Sequence, residues 1–241
     1  IIIYYYMKKI LFKIRRKLGL VKPDEYLDYL RKLGIAIGKG THAFTNNFII
    51  DTQRPWMIKI GEYCKITDGV IILQHDYSRS VLRRVYGDVV GESKETIIGN
   101  NVFLGINSII LMGTHIGDNV IVGAGSVVSG NIPSNVVVAG NPAKIIRTLD
   151  DHYELRKSKY QREAMEQAKL FYKCNGRFPT VAEMGAFFPL YLQRSIQALH
   201  NNNVRTNLSG DNEEEIVEAF LKSTPSYHSY ESFIEDIKKE M

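Results

Sequence analysis

Ile98-Gly99-Asn100-Asn101-Val102-Phe103, Leu104-Gly105-Ile106-Asn107-Ser108-Ile109, Ile110-Leu111-Met112-Gly113-Thr114-His115, Ile116-Gly117-Asp118-Asn119-Val120-Ile121 and Val122-Gly123-Ala124-Gly125-Ser126-Val127 follow one another as units of six residues. The first position is aliphatic in every unit and again at Val128. The second is Gly in four of the five, and the fifth is small or β-branched throughout. Six residues turn an α-helix through about 600°, which would scatter the aliphatic positions around it. An alternating strand has a period of two and no use for Gly at every sixth place. A coil with three flat sides explains both regularities. The aliphatic first position points inward onto its counterpart one coil away, and the small second position lets the chain turn the corner. Such a coil buries its core only by stacking on others, which makes a solenoid.

Working outward, weaker units occupy 37–42, 60–65, 66–71 and 72–75. The period fails between Asp76 and Glu95, a stretch holding Arg79, Arg83, Arg84, Glu92, Lys94 and Glu95, and this reads as a polar loop ejected from the coil. A shorter interruption spans Asp51 to Lys59. Repeat proteins often carry function on such excursions. Residues 24–33 set Tyr26, Leu27, Leu30 and Leu33 on one helical stripe and stop before Gly34. Beyond Pro142 the repeats end. Residues 150–173 are charged and helix-prone, and 180–200, 211–222 and 229–240 read as three further helices. The expected division is 1–34 as a basic helical segment, 35–148 as the solenoid and 149–241 as a helical extension.

Composition narrows the function classes. Of the net charge of +5, seven positives without an acid lie in residues 8–22 (Lys8, Lys9, Lys13, Arg15, Arg16, Lys17, Lys22), which leaves −2 elsewhere. The basic character is local, so no nucleic-acid partner is expected. Between those charges stand Ile10, Leu11, Ile14 and Leu18. Two readings are open: a helix lying on an anionic membrane surface, or one packing on its own assembly. No apolar run reaches the roughly 18 residues of a membrane span. Residues 1–6 read as an upstream extension before Met7, with no secretory signal. Cys64 and Cys174 are far apart and without neighbouring ligands, so free thiols, a cytoplasmic setting and no metal site are expected.

The repeats, the step Ile71-Ile72-Leu73-Gln74-His75-Asp76 and the closing Gly140-Asn141-Pro142-Ala143-Lys144 together resemble the hexapeptide-repeat acyltransferases. The nearest branches are the maltose, galactoside and xenobiotic acetyltransferases and the polysaccharide O-acetyltransferases. The likeness covers about residues 35–148. It implies a mainly β protein built on a left-handed parallel β-helix, a homotrimer, and acetyl-CoA as co-substrate in a groove between subunits. It also implies O-acetylation of a sugar or polysaccharide-precursor hydroxyl; the free thiols point to the cytoplasm, and residues 8–22 would allow contact with the inner face of the membrane. N-acylation of an amino sugar, O-acetylation of serine and a non-catalytic scaffold are the alternatives.

His75 is the expected catalytic base. It ends a unit and opens the long excursion, and an imidazole suits removal of a hydroxyl proton during attack on a thioester. His115 is the competitor, read as a solvent-facing corner. By resemblance the coenzyme touches Gly105, Ile106, Ala124 and Ser129, with Lys144 and Arg147 toward its phosphates. Asn46, Asn47 and Asp51 are candidate acceptor contacts, with a turn role equally open for the two asparagines. Arg79, Arg83 and Arg84 would suit an anionic acceptor or simple solvation.

Overall fold

A computed structural model describes residues 10–12, 14–16, 18–207 and 211–241. Lys8, Lys9, Lys13, Lys17 and the extension at 1–6 lie outside the described residues. The chain forms two compact units, one running to His152 and the other from Tyr153.

The first unit is a three-walled parallel β-helix. Its first wall stacks Ala36–Ile37, Ile58–Ile60, Thr96–Ile98, His115–Ile116 and Asn131–Ile132. The second stacks His42–Ala43, Lys65–Ile66, Phe103–Leu104, Ile121–Val122 and Val136–Gly140, and the third Ile49–Ile50, Ile71–Ile72, Ile109–Ile110 and Val127–Val128. Within each wall the strands pair in parallel, with Ile98 on Ile116, Leu104 on Val122 and Ile110 on Val128. All six of those side chains are buried, as the six-residue period requires.

Each strand spends the sixth and first positions of a unit, and the remaining four make a corner. The tight bend falls at the fourth position, where Asn101, Asn107, Asn119, Gly113 and Gly125 have φ between 53° and 75°. This corrects the role expected of the second-position glycines. Gly61, Gly99, Gly105 and Gly117 have no positive φ; they are small because coils approach each other there. A Cβ on Gly99 would lie 2.7 Å from the backbone of Gly117, and one on Gly61 2.5 Å from the Gly99 oxygen. At the corner between the first and second walls the asparagines also form a ladder. The Asn101 amide donates to Asn119 Oδ1 and the Asn119 amide to Asn135 Oδ1, each at 2.9 Å.

The coil spacing exceeds 18 residues in two places and falls to 16 in the last coil, from Ile116 to Ile132. Ile98 to Ile116 is 18 positions, but Ile37 to Ile60 is 23 and Ile60 to Ile98 is 38. Most of the excess leaves from one corner, between the third and first walls. The first coil spends a 3₁₀ turn there at Pro55–Met57, and the second spends the excursion after Ile72. The excursion is not wholly loop: Arg79–Tyr86 is an α-helix ending at Gly87 in the left-handed region. Val81, Leu82, Val85 and Tyr86 share one face of it, yet none of its residues is buried.

At the first coil, the helix Pro23–Lys32 buries Tyr26, Leu27 and Leu30 in the solenoid core. Residues 10–12 and 14–16 are helical too. Phe12 stacks on Tyr29 at 4.1 Å, and Arg16 donates to the Asn46 and Phe48 oxygens while lying 3.7 Å over the Tyr26 ring. At the far end Ala143–Thr148 turns back antiparallel on Val136–Gly140 and closes the second wall.

The second unit is helical and has its own core, with Met184, Phe188, Tyr191, Phe220, Phe233 and Ile237 buried. The long helix Leu149–Asn175 enters it, and Glu213–Lys222 and Tyr230–Lys239 match the expected helices. The expected single helix over 180–200 is instead a 3₁₀ segment, Gly185–Leu190, and a short helix, Ile196–Asn201. Pro189 cannot donate within a continuous α-helix, and Ser195 starts the second piece by accepting from the Ala198 N–H. Among the described residues no helix is long and apolar enough to cross a membrane.

Candidate active site

The corner that carries both excursions brings Asp51 and His75 together. Asp51 follows the strand Ile49–Ile50, and its N–H donates to the Ile72 oxygen in the coil above. His75 lies three residues beyond Ile72, at the neck of the long excursion. That neck is clamped: His75 and Ser93 form an antiparallel bridge, the Lys94 N–H donates to the Gln74 oxygen at 3.0 Å, and the Thr96 hydroxyl to the Leu73 oxygen at 2.6 Å. Excursion residues are mostly solvated, yet His75 is 9% exposed and Gln74 fully buried.

His75 Nδ1 is hydrogen-bonded to Asp51 Oδ2. A carboxylate only accepts, so Nδ1 carries the proton and Nε2 keeps a free lone pair. The Gln74 amide nitrogen, 3.2 Å from the same Nδ1, could donate to it only in the other tautomer. The Gln74 oxygen accepts from the Ser93 hydroxyl at 3.0 Å, which fixes the amide beside the ring. Asp51 Oδ1 accepts the Gln53 N–H at 3.0 Å, so both carboxylate oxygens are used inside the chain. Tyr77 packs edge-on to the imidazole at 4.8 Å, and its hydroxyl accepts from the Gln53 amide at 2.8 Å. His75 Nε2 is buried and has no hydrogen-bond partner. An imidazole with one nitrogen held by an acid and the other left unsatisfied is suited to take a proton from an acceptor.

Asp76, next in the chain, is outside this arrangement. Its carboxylate accepts from the Ser78 hydroxyl and N–H, and those bonds hold it below the usual carboxylate range. His115 lies on the outer face of a first-wall strand rather than at a corner, and His42 pairs with Asp24 at 3.3 Å.

The other expected site residues fall on two edges of the prism. Ser129 follows Val128 at the same edge as His75, two coils on, or about 10 Å at the usual strand spacing. Gly105, Ile106 and Ala124 stand at the next edge, between the second and third walls, where the Gly125 N–H donates to the Ile106 oxygen at 2.7 Å. Asn46 and Asn47 belong to that edge as well, bound into it: Asn46 Nδ2 donates to the Val21 oxygen and Asn47 Nδ2 to Asp68. Within one chain, then, the third wall separates His75 and Asp51 from the two asparagines and from most of the expected coenzyme contacts. Lys144 and Arg147 lie on the closing antiparallel strand, with Lys144 exposed.

The sequence reading missed the Asp51–His75 pair, which depends on two excursions of unlike length leaving from one corner. It missed Gln74 and Ser93 for the same reason. Among the described residues no cluster of three or more His, Cys, Asp or Glu could hold a metal ion.

The six-residue repeat is shared with known proteins. A family described as "Hexapeptide repeat of succinyl-transferase" matches residues 95–129. Protein CapG of Staphylococcus aureus is 37% identical over 144 residues, covering 60% of this chain and 80% of that protein. Galactoside O-acetyltransferase of Escherichia coli K12 is 34% identical over 144 residues, covering 58% of this chain and 68% of that one. Among solved structures, a maltose O-acetyltransferase from Clostridium difficile 630 is 28% identical, with a TM-score of 0.41, and covers 58% of this chain and 84% of that one.

Proposed function

This chain belongs to the hexapeptide-repeat acyltransferase family, and on that footing we propose that it moves an acetyl group from acetyl-CoA to a hydroxyl of a sugar or polysaccharide precursor. It is an acyltransferase. The observation that carries the reading of its mechanism is His75 Nε2, buried and unpartnered, with Nδ1 held by Asp51.

Nε2 removes the acceptor's hydroxyl proton as that oxygen attacks the thioester carbonyl. A C–O bond forms, the tetrahedral intermediate collapses, and the C–S bond breaks. The departing coenzyme thiolate recovers the proton from the imidazolium. Asp51 keeps the imidazole in the tautomer that can accept and stabilises the positive charge it then bears. With both oxygens engaged in the chain, Asp51 fits a positioning role better than the acceptor contact expected from sequence. A backbone N–H at the oxyanion would contribute about 3 kcal/mol.

Gly105, Ile106, Ala124 and Ser129 are the proposed coenzyme contacts, with Lys144 and Arg147 toward the phosphates. Their division over two edges supports a groove completed by a neighbouring copy, hence a homotrimer of left-handed coils with residues 35–148 as the catalytic part. Asn46 and Asn47 would meet an acceptor only across such a groove. The exposed Ile10, Leu11, Ile14 and Leu18 support contact with a membrane surface, whereas Phe12 and Arg16 are already used inside the chain.

The test is thiol release from acetyl-CoA over a panel of sugars, amino sugars and serine. We expect release with a sugar hydroxyl and an ester product that mild base cleaves. Release with amines alone would replace this reading with N-acylation.

A further inference from the structure

The helical unit from Tyr153 plays no part in that mechanism, yet it has a cavity of about 290 Å³. This is near the lower end for small-ligand sites. One side is the segment Tyr191 to Asn202 and the other the start of the final helix, Ser229 to Glu231. Its lining has a definite chemical character. Gln193, Gln197, Asn201 and Asn202 present side-chain amides, Glu231 presents a carboxylate, and no lysine or arginine takes part.

Some of that hydrogen-bonding capacity is spent within the chain. The Gln197 amide nitrogen donates to Asn201 Oδ1 at 2.6 Å and the Asn202 amide nitrogen to the Ala198 oxygen at 2.9 Å. Ser195 and Ser229 are helix caps. The Gln197 oxygen, the Asn201 nitrogen, the Asn202 oxygen and the whole Gln193 amide are left. Glu231 is held below the usual carboxylate range by its hydrogen bond from Ser229, so it is ionised at neutral pH. Tyr191 also lines it, 1% exposed, and its hydroxyl is buried with no hydrogen-bond partner. Buried hydroxyls are nearly always satisfied, so an orphan beside a cavity points to a missing partner.

An ionised carboxylate without a balancing cation disfavours an anionic ligand. Amides that offer both donors and acceptors suit groups that do the same, which is the property of a sugar hydroxyl. We propose that this unit carries a saccharide-binding pocket, lined by Tyr191, Gln193, Gln197, Asn201, Asn202 and Glu231, that takes a neutral, hydroxyl-rich sugar residue. The ligand class comes from the lining; that the sugar belongs to the acceptor glycan rests on the sugar-transfer reading above.

The experiment is saturation-transfer NMR and calorimetry on the full chain without acetyl-CoA. The probes are lactose, maltotriose, an N-acetylglucosamine disaccharide and glucuronate. At least one neutral saccharide should bind with Kd of about 1 mM or tighter. Gln193→Ala and Tyr191→Phe should each weaken it about fivefold or more, with unchanged far-UV circular dichroism; such a loss corresponds to about 1 kcal/mol. Gln193 is exposed, so its variant folds even if Tyr191→Phe does not. Thiol release with a small acceptor should be unaffected by Gln193→Ala. Absence of neutral-sugar binding, preference for glucuronate, or binding indifferent to both substitutions would overturn the proposal. If no sugar supports thiol release but Gln193-dependent binding persists, the pocket stands and the transfer reading falls.

Discussion

His75 has a lone pair with nowhere to go, and Asp51 determines which nitrogen carries it. His75→Ala should lower turnover roughly 10²- to 10⁴-fold, the usual contribution of a general base. Acetyl-CoA binding, measured separately, should barely change. Asp51→Asn should cost about 10²-fold or more, because an amide can donate to Nδ1 and stabilise the wrong tautomer. It should act on turnover rather than on the coenzyme's KM; an effect confined to the acceptor's KM would return Asp51 to the acceptor site. His115→Ala should be nearly silent, and an inactive His115 variant beside an active His75 variant would reverse the assignment. The two thiols offer a further check. Cys64 is buried, its Sγ 3.1 Å from the Gly99 oxygen, and burial pushes its thiol pKa up, which lowers the reactive thiolate fraction at neutral pH. Mass spectrometry after iodoacetamide should find native protein alkylated at the exposed Cys174 and at Cys64 only once unfolded.

The corners make their own prediction. Gly99→Ala would set a methyl 2.7 Å from backbone that cannot yield without shifting a coil, so a loss of about 1–3 kcal/mol is expected. Gly125→Ala meets nothing within 4 Å and pays only for its φ of +66°, about 1–2 kcal/mol. Thermal melts of the pair should rank Gly99→Ala as the less stable; the reverse order would mean that backbone freedom, not close approach, governs the repeat. The walls and buried aliphatics were legible because one residue in six repeats one environment. What escaped was whatever does not repeat. The Arg79–Tyr86 helix has its apolar residues on one face, but at eight residues set among charges it breaks the six-residue period and reads as a loop. Residues 180–200 hold enough apolar residues for a helix, and only Pro189 and Ser195 divide them. Asp51 and His75 are 24 positions apart, a separation that means proximity only once the unequal excursions of two coils are known.

The division of the candidate site over two edges predicts that the whole chain assembles. His75 and Ser129 occupy one edge of the solenoid while Gly105, Ile106 and Ala124 occupy another. Light scattering at micromolar concentration should give three times the 27.5 kDa chain mass, and a monomer mass would leave the groove without its second side.

The clamped neck of the long excursion has a further consequence. Residues 73–95 leave and rejoin the coil with Ile60 still paired to Ile98 and Ile72 to Ile110, so the wall registers do not depend on what lies beyond His75 and Ser93. The entropy of closing a loop grows only with the logarithm of its length, about 0.6 kcal/mol per doubling. Substitution, lengthening or wholesale exchange of residues 78–91 is therefore nearly free for the folding of the solenoid. Evolution can redraw the approach to the base without renegotiating the scaffold that holds it, and an engineer can graft there on the same terms.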